Sequence, residues 1–265
     1  MQKLDFAIVV SKKDPAGMSI SEQLRQLQQF PATIGDKKVD LFVKGQAITE
    51  VAVDDINADN FIFASKHVSK ARVHSLSVHS IGNWSKVIGG GREKTLVAVP
   101  AALMKTCFKL LTVNAEKAKI DYEIILEATH HGPYLEKPVM FIEIGSDEEH
   151  WKDKTAGKVI ADTILEAIKN ISDTSEEIKT VVGIGGMHHA PNFTKVMLAE
   201  DVSVSYLCPK YMLESLDEEM LKQAIDKSKA NSVVLDWKGL GKEKARIVDM
   251  LEKNGVNYKR TKDFA

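Results

Sequence analysis

The sequence predicts an α/β fold with a mixed, largely parallel sheet. Short apolar runs rich in β-branched residues alternate with longer segments whose apolar residues recur every three to four positions. Runs of the first kind are typical of buried strands and segments of the second kind of amphipathic helices, and their alternation indicates helices that connect parallel strands. A chain of 265 residues can bury a large core, so we expect residues 1–265 to form a single domain.

Nine segments are predicted to be strands, because each is an apolar run of strand length. They are residues 4–10, 60–65, 73–79, 95–100, 122–128, 138–145, 179–185, 202–208 and 232–237. Apolar stripes at helical spacing predict helices at 101–117 and 148–171, and further helices are expected at 217–229 and 240–254. Sheets of this kind bind ligands beyond the carboxyl ends of their strands, so the segments that follow the strands are the expected location of a site.

The composition excludes several classes of protein. A formal charge of −1 and a pI near 6.7 argue against a surface that is basic throughout, so any polyanion has to bind at a local patch. Two cysteines, Cys107 and Cys208, exclude a disulfide framework and a multi-cysteine zinc module, and we expect both to be reduced and buried. The apolar runs are too short for a signal peptide or a membrane helix, so we expect a cytoplasmic protein that does not bind membranes.

Six of the eight histidines lie in turns flanked by glycine, proline or serine: His67, His79, His130, His131, His188 and His189. Four of them form two adjacent pairs, in "EATHHGP" (127–133) and "GIGGMHHAP" (183–191), and each pair follows a predicted buried strand. Because loops at strand ends concentrate functional groups, we expect the two pairs to converge on one rim of the sheet.

Neighbouring side chains on an extended segment point to opposite faces, so two adjacent imidazoles are not expected to serve one metal in the same way. One can ligate or act as a base while the other contacts substrate or supports the loop. Glu127 or Glu143 can complete a histidine and carboxylate set or orient an imidazole, and without cysteines such a set favours zinc in an open catalytic site. A histidine acting as general base, with glycine-loop amides stabilising an oxyanion, is the alternative.

The glycine-rich and basic segments each leave two interpretations open. "GIGGMHH" matches neither nucleotide-binding template, so it is an anion site made of backbone N–H groups or a tight turn that needs glycine. "IGGGREK" (88–94) has the same ambiguity.

The basic residues of "SKHVSKAR" (65–72) and "DWKGLGKEKAR" (236–246) are solvated surface charges or, if they line one side of the cleft, a track for phosphates.

Four segments together resemble one known family. They are "SKHVSKARVHSLSVHSIGNW" (65–84), "YEIILEATHHGPYLEKPVMFIEIGSDEEHW" (122–151), "GIGGMHHAPNFTKV" (183–196) and "DWKGLGKEKARIVDMLEKNGV" (236–256). The chain resembles the archaeal and plant type of D-aminoacyl-tRNA deacylase. The resemblance implies hydrolysis of the ester that joins a D-amino acid to the terminal ribose of tRNA, a zinc requirement, a monomeric enzyme, and a three-layer α/β/α fold like that of nucleoside phosphorylases and peptidyl-tRNA hydrolases.

The resemblance also implies roles for individual residues. The expected catalytic residues are Glu127, His130, His131 and His188. The expected substrate-binding residues are Lys66, His67, Asn83, Gly185 and Gly186. The expected zinc ligands are His79, His130, His131, His188 and Glu143. Relatives often have tyrosine in place of His189, which therefore receives no role. The partner is the acceptor end of D-aminoacyl-tRNA; the rival interpretations are a zinc-dependent amidohydrolase or nuclease acting on another substrate, and a tRNA-binding protein without activity.

Overall fold

Strands and helices alternate along most of the chain. The computed structural model describes residues 2–70, 72–171, 178–199 and 202–264. Its helices are α1 Pro15–Leu27, α2 Ala101–Ala118, α3 Glu148–Trp151, α4 Lys154–Asn170, α5 Pro191–Leu198, α6 Glu218–Ser228 and α7 Lys244–Lys253. Its strands are β1 Leu4–Ser11, β2 Ala32–Ile34, β3 Lys37–Lys44, β4 Ala58–Val68, β5 Ser75–His79, β6 Gly82–Asn83, β7 Thr95–Leu96, β8 Glu123–Leu126, β9 Val139–Ser146, β10 Lys179–Ile184, β11 Val202–Cys208, β12 Ser232–Leu235 and β13 Tyr258–Arg260.

The larger sheet has seven strands in the order β2-β3-β1-β4-β9-β5-β8. Strands β3, β1, β4 and β9 run parallel to one another, whereas β5 is antiparallel to β9 and carries β8 parallel to itself. Strand β2 forms an antiparallel edge with β3. The predicted α/β class with a mixed, largely parallel sheet is therefore confirmed.

The two faces of this sheet are covered differently. Helices α1, α2 and α4 pack on one face and contribute to a large apolar core. A smaller core lies on the other face, where Phe61, Phe63 and Phe141 meet apolar side chains from the irregular segment 48–56. Among the described residues, this second face has loops and one short 3₁₀-helix where the three-layer prediction expected helices. The layer that covers this face is therefore thinner, and part of the sheet surface is left open for the site.

The smaller sheet is entirely parallel, in the order β11-β10-β12-β13. Helices α5, α6 and α7 connect its strands in turn. The chain leaves β10 for β11 on one side and returns to β12 on the other side, so the order reverses at β10. A crevice beyond the carboxyl end of β10 follows from this reversal, because the two connections leave the strand end in opposite directions.

A short segment after β8 joins the two sheets. Glu127 forms an isolated antiparallel bridge with His189. The Ala128 amide donates to the His188 carbonyl at 2.9 Å, and the Thr129 amide donates to the Leu207 carbonyl at 3.0 Å. These bonds bring the carboxyl end of β8, in the larger sheet, against the carboxyl end of β10, in the smaller one.

Several of the observed elements differ from those predicted. The predicted helix 148–171 is two helices, α3 and α4, because the Asp153 carboxylate accepts hydrogen bonds from the amides of Thr155 and Ala156 and starts a new helix there. The predicted strand 95–100 is regular only at Thr95–Leu96. Helices α1 and α5, which the apolar pattern did not predict, each begin at a proline.

Both cysteines behave as predicted. Cys107 lies in α2 and Cys208 at the end of β11, and both are buried and unbridged. Across the parts of the chain that the structure covers, none of the helices combines the length and apolarity that crossing a bilayer requires.

Candidate active site

The first part of the site lies on the face of the larger sheet that lacks helices. Alternate side chains of a strand share one face, so Ser65 and His67 of β4 follow Phe61 and Phe63 on this side. Glu143 of β9 pairs with Ser65 in register. The apolar face thus becomes polar toward the carboxyl end of β4.

Glu143 is the buried carboxylate of this face. It accepts a hydrogen bond from the Ser65 hydroxyl at 2.5 Å, and its Oε2 lies 3.7 Å from His67 Nδ1 and 3.6 Å from His79 Nε2. Burial by itself favours the neutral acid, but the contacts with the two imidazoles lower the pKa of Glu143 to about 2. The carboxylate is therefore charged throughout the physiological range.

Glu127, the first residue after β8, is the second buried carboxylate. Its Oε2 accepts from His67 Nδ1 at 3.0 Å and from His188 Nε2 at 3.0 Å, whereas its Oε1 has no hydrogen-bond partner among the described residues. Burial opposes ionisation, yet the two imidazole donors hold the pKa of Glu127 well below its usual value. An ionised carboxylate oxygen without a partner is costly when buried, so Oε1 is a candidate ligand atom.

His67 is the cation that balances these carboxylates. Burial disfavours its charge, but hydrogen bonds to Glu127 and Glu143 raise the pKa of His67 to about 10. Its Nε2 lies 3.0 Å from Nε2 of His189. Burial lowers the pKa of His189, so His67 donates this hydrogen bond and His189 accepts it.

Three further imidazoles share one orientation: His79, His130 and His131. In each ring Nδ1 lies 2.7–3.1 Å from a backbone carbonyl oxygen, to which it donates, so Nε2 is the atom left to bind a ligand. Although burial opposes its charge, the nearby Glu143 raises the pKa of His79, so its Nε2 must release a proton before it can ligate. Burial and the neighbouring imidazoles hold the pKa of His130 well below its usual value and lower that of His131 to about 4. The rings lie close together, with centroids 4.3 Å apart for His130 and His131.

These groups open into a cavity of about 440 Å³. Its ionisable and hydroxyl lining residues are Ser11, Lys13, Asp14, Thr49, Lys66, His67, His130, His131, Glu143 and His188. Ala47, Ile48 and Val68 form the remaining wall. The cavity therefore places imidazoles, two carboxylates and cations beside a less polar surface.

Among the described residues, three sets of donor atoms lie close enough to hold a metal ion, with the atoms of each set within 4.8 Å of one another. The sets are His79, His130 and His131; His79, Glu127 and Glu143; and His67, Glu127, His188 and His189. Imidazole and carboxylate donors suit zinc, and the carbonyl acceptors on Nδ1 orient the first set as ligating histidines require. The residues present thus fit a zinc site.

The structure brings the two histidine pairs together, as expected from their positions after β8 and β10: the rings of His130 and His188 have centroids 4.7 Å apart. Of the predicted ligands, His79, His130 and His131 lie in one set and Glu143 lies beside His79. His188 lies instead with Glu127 and His67. Lys66 and His67, predicted to bind substrate, line the cavity.

Asn83 does not line this cavity, in contrast to its predicted contact with substrate. Its Oδ1 accepts from the Ile88 amide at 3.0 Å, and its Nδ2 donates to the carbonyls of Gly90 at 2.9 Å and Arg92 at 3.2 Å. The side chain is occupied in holding the 88–92 loop, whose Gly90 and Gly91 approach Gly132 closely. Asn83 therefore acts on the site through the loop.

Gly185 and Gly186 also lie outside the cavity lining. Their φ angles of +99° and +82° are ones that side chains rarely adopt, and both pack against Asp236. Of the two interpretations of "GIGGMHH", the tight turn matches this conformation. The turn sends the chain from β10 back toward the His188 and His189 positions.

The sequence reasoning missed several residues of the site. Ser65 had a signal in the alternation of "FIFASKH", which places it on the same face as His67. Asp14 precedes a proline at the start of α1, which is a capping signal, and its carboxylate accepts from the amides of Gly17 and Lys66. Tyr211, whose hydroxyl lies 3.0 Å from His188 Nδ1, had no local signal.

Comparison with known proteins gives consistent matches. Residues 54–259 match the family model described as D-aminoacyl-tRNA deacylase. A D-aminoacyl-tRNA deacylase of Methanocaldococcus jannaschii is 33% identical over 267 residues, covering 97% of this chain and 100% of that protein. One of Pyrococcus furiosus is 38% identical over 188 residues, covering 69% of this chain and 66% of that protein. The crystal structure of a conserved protein of unknown function, AF0625, has a TM-score of 0.88 at 28% identity and covers 100% of this chain and 98% of its own.

Proposed function

The chain belongs to the D-aminoacyl-tRNA deacylase family, and from this premise we propose that it hydrolyses the ester between a D-amino acid and the terminal ribose of tRNA. One observation carries the proposal: the family match over residues 54–259 includes every residue of the three candidate metal-binding sets, with Glu127 and Glu143 among them. Hydrolysis of this ester releases free D-amino acid and tRNA, which is the chemistry of chiral proofreading.

We propose zinc as the cofactor and His79, His130 and His131 as its principal ligands. The closeness of their three Nε2 atoms and the carbonyl acceptors on their Nδ1 atoms support this assignment. Glu143 lies beside His79 as a further ligand or as an orienting group. Bound zinc would supply a Lewis acid that polarises the ester carbonyl and activates water.

The protein's own groups have separate tasks in this proposal. The charged His67 holds Glu127 and His189 in place, because its two N–H groups donate to them beside the cavity. Glu127 fixes the ring of His188 through its Nε2–H and leaves Nδ1 to accept from Tyr211. Nδ1 of His188 is therefore the atom that can pass a proton between water and the leaving 3′ oxygen.

Lys66 lines the same cavity and is proposed to contact the acceptor end of the tRNA. The predicted likeness to peptidyl-tRNA hydrolases and nucleoside phosphorylases remains a proposal that rests on the mixed, largely parallel sheet. We further propose a monomer of one domain that acts in the cytoplasm, where aminoacyl-tRNA is used. Size-exclusion chromatography with light scattering tests the monomer directly.

Matched substrates test the activity. Purified protein is incubated with D-tyrosyl-tRNA and L-tyrosyl-tRNA, and we expect release of tyrosine from the D-ester at a rate at least about 100-fold above that from the L-ester. Equal inertness toward both would refute the proposal and favour an amidohydrolase or nuclease acting on another substrate. His130→Ala is expected to retain tRNA binding and lose turnover, whereas the control His74→Ala, which changes an exposed histidine outside the cavity, keeps both.

Metal analysis tests the cofactor separately. We expect mass spectrometry of the native protein to show bound zinc, and His79→Ala to reduce its occupancy. Dialysis against a chelator should then abolish turnover, and added zinc should restore it. A metal-free protein with an unchanged rate would refute the zinc proposal and leave a histidine acting as general base.

A further inference from the structure

A second cavity, of about 410 Å³, lies at the carboxyl ends of β12 and β13, beside the start of α5. We call it the basic cavity; its lining residues are Asn192, Lys195, Asp236, Trp237, Lys238, Arg260, Thr261 and Lys262. Asn192 is three residues beyond His189 in the chain. The basic cavity therefore adjoins the crevice at the end of β10 from which His188 and His189 project.

The lining carries four cations and one carboxylate. The side chains of Lys195, Lys238, Arg260 and Lys262 have no ion pair with any carboxylate in residues 2–70, 72–171, 178–199 and 202–264. The carboxylate of Asp236 is buried, and its two oxygens accept from Asn192 Nδ2 at 3.2 Å and from the Gly239 amide at 3.3 Å. The protein as a whole has a net charge of −1, so this excess of positive charge is a local property of the basic cavity.

Trp237 fixes the position of one of these cations. The Arg260 guanidinium lies 3.8 Å from the centre of a Trp237 ring, and Lys244 Nζ lies 4.8 Å from a Trp237 ring centre. Arg260 makes no side-chain hydrogen bond within the part of the chain that the structure covers, so its N–H fork remains available. A guanidinium held flat against an aromatic ring loses little rotamer freedom when it binds a phosphate through two N–H groups.

The arrangement indicates the kind of ligand. Arg260 and Lys244 both pack on the indole ring of Trp237, so the ring is not open to a stacked base. The cavity therefore suits phosphate oxygens better than a base. Proteins that hold a nucleic acid end in an active site position its backbone through such lysine and arginine contacts, which carry no sequence information. A cavity that adjoins the His188 and His189 segment is placed to hold backbone phosphates next to the reacting end.

We propose that the basic cavity binds backbone phosphates of the tRNA acceptor arm while the aminoacyl ester occupies the active site. This inference rests on the proposed deacylase function for its biological meaning, but the binding itself can be measured without turnover. It also assigns a use to the basic segment at 236–246, because Lys238 lines the cavity and Lys244 contacts Trp237.

Binding of uncharged tRNA, measured by fluorescence anisotropy at several KCl concentrations, tests the inference. The variant combines Lys195→Ala, Lys238→Ala and Lys262→Ala. Its control combines Lys109→Ala, Lys137→Ala and Lys158→Ala, which changes the net charge equally at positions outside both cavities. Each lost phosphate contact lowers the slope of log Kd against log [KCl] by about 0.7, so we expect the variant's slope to fall by about 2 and its affinity to fall at least about tenfold.

Kinetics provide the second measurement. The variant should raise KM for D-tyrosyl-tRNA at least about tenfold with kcat unchanged, and should hydrolyse D-tyrosyl-adenosine, which has no phosphate, at the wild-type rate. Salt slopes that are equal in the wild-type protein and the variant, or an equal loss in the control, would overturn the inference. Competition by inorganic phosphate without any tRNA binding would also overturn it. Wild-type protein that binds tRNA through these lysines but does not cleave D-tyrosyl-tRNA would support the phosphate site and refute the proposed function.

Discussion

Replacing Glu127 by glutamine removes the charge that joins the two halves of the site while keeping the shape of the side chain. Glu127 Oε2 accepts from His67 and from His188 at 3.0 Å each, and a hydrogen bond to a charged group contributes about 1.5–3 kcal/mol. The oxygen of the amide can take the position of Oε2 and the NH₂ group that of the unpartnered Oε1, so both contacts can persist, but neither is any longer a bond to a charged group and the ion pair with the His67 cation is lost. The ring of His188 is then held less firmly, and we expect Glu127→Gln to lower the free energy of unfolding by about 3 kcal/mol.

Urea denaturation of the metal-free protein measures this difference. With an m value of about 3 kcal/mol per molar, a loss of about 3 kcal/mol moves the midpoint down by about 1 M. The same substitution should reduce kcat at least about 100-fold in the zinc-loaded enzyme, because the orientation of His188 is lost. The control Glu252→Gln changes an exposed carboxylate on α7, and both its stability and its rate should stay near wild type.

Two results would refute the reasoning about Glu127. A midpoint for Glu127→Gln within about 0.2 M of the wild-type value would mean that the buried carboxylate does not stabilise the contact between the sheets. A full rate with lowered stability would mean that the tautomer of His188 does not matter for catalysis.

Three further predictions follow from local contacts. Burial raises the pKa of Cys107 to about 12 and raises that of Cys208 as well, so iodoacetamide at pH 8 should modify both thiols only after denaturation; mass spectrometry that finds label on the native protein would contradict this. Gly132→Ala should lower Tm and activity strongly, because its methyl group would overlap the backbone of the 89–91 loop, whereas Gly45→Ala meets open space and should change neither; equal Tm shifts would oppose the assignment. Asn83→Ala loses three hydrogen bonds and should cost about 2 kcal/mol of stability, with faster proteolysis of its loop; an unchanged cleavage rate would count against this role.

Most strands of both sheets could be predicted because buried strands of a parallel sheet are nearly continuous apolar runs, whereas β2, β3 and β13, at or near the sheet edges, were not predicted. The convergence of the two histidine pairs followed from the same source, since parallel strands end at one edge. The cover on the second face could not be predicted in this way. Ile48, Val51, Val53 and Ile56 bury apolar surface without any helical or strand period, so the pattern gave no sign that loops replace a helical layer there.

The site was predicted as a rim of loops, and half of it lies on the surface of the sheet. His67 lies in β4 and Glu143 in β9. An ionisable residue within an apolar strand is itself a signal of a functional site, and this signal points to the sheet surface and not to a loop. Contacts such as that between His188 and Tyr211 join residues that no local pattern connects. Asn83, Gly185 and Gly186 shape loops in the structure, and their contact with substrate stays a prediction.

The segment Glu127–Thr129, hydrogen-bonded across both sheets, means that no part of the polypeptide contains a working centre by itself. During synthesis, the ribosome releases β8 and its imidazoles long before the stretch that supplies His188 and His189. An unfinished chain therefore lacks His188, one of the two partners of Glu127, and by the proposed mechanism should not cleave the aminoacyl-tRNAs that surround it. We expect activity to begin only when the later sheet has folded against the earlier one.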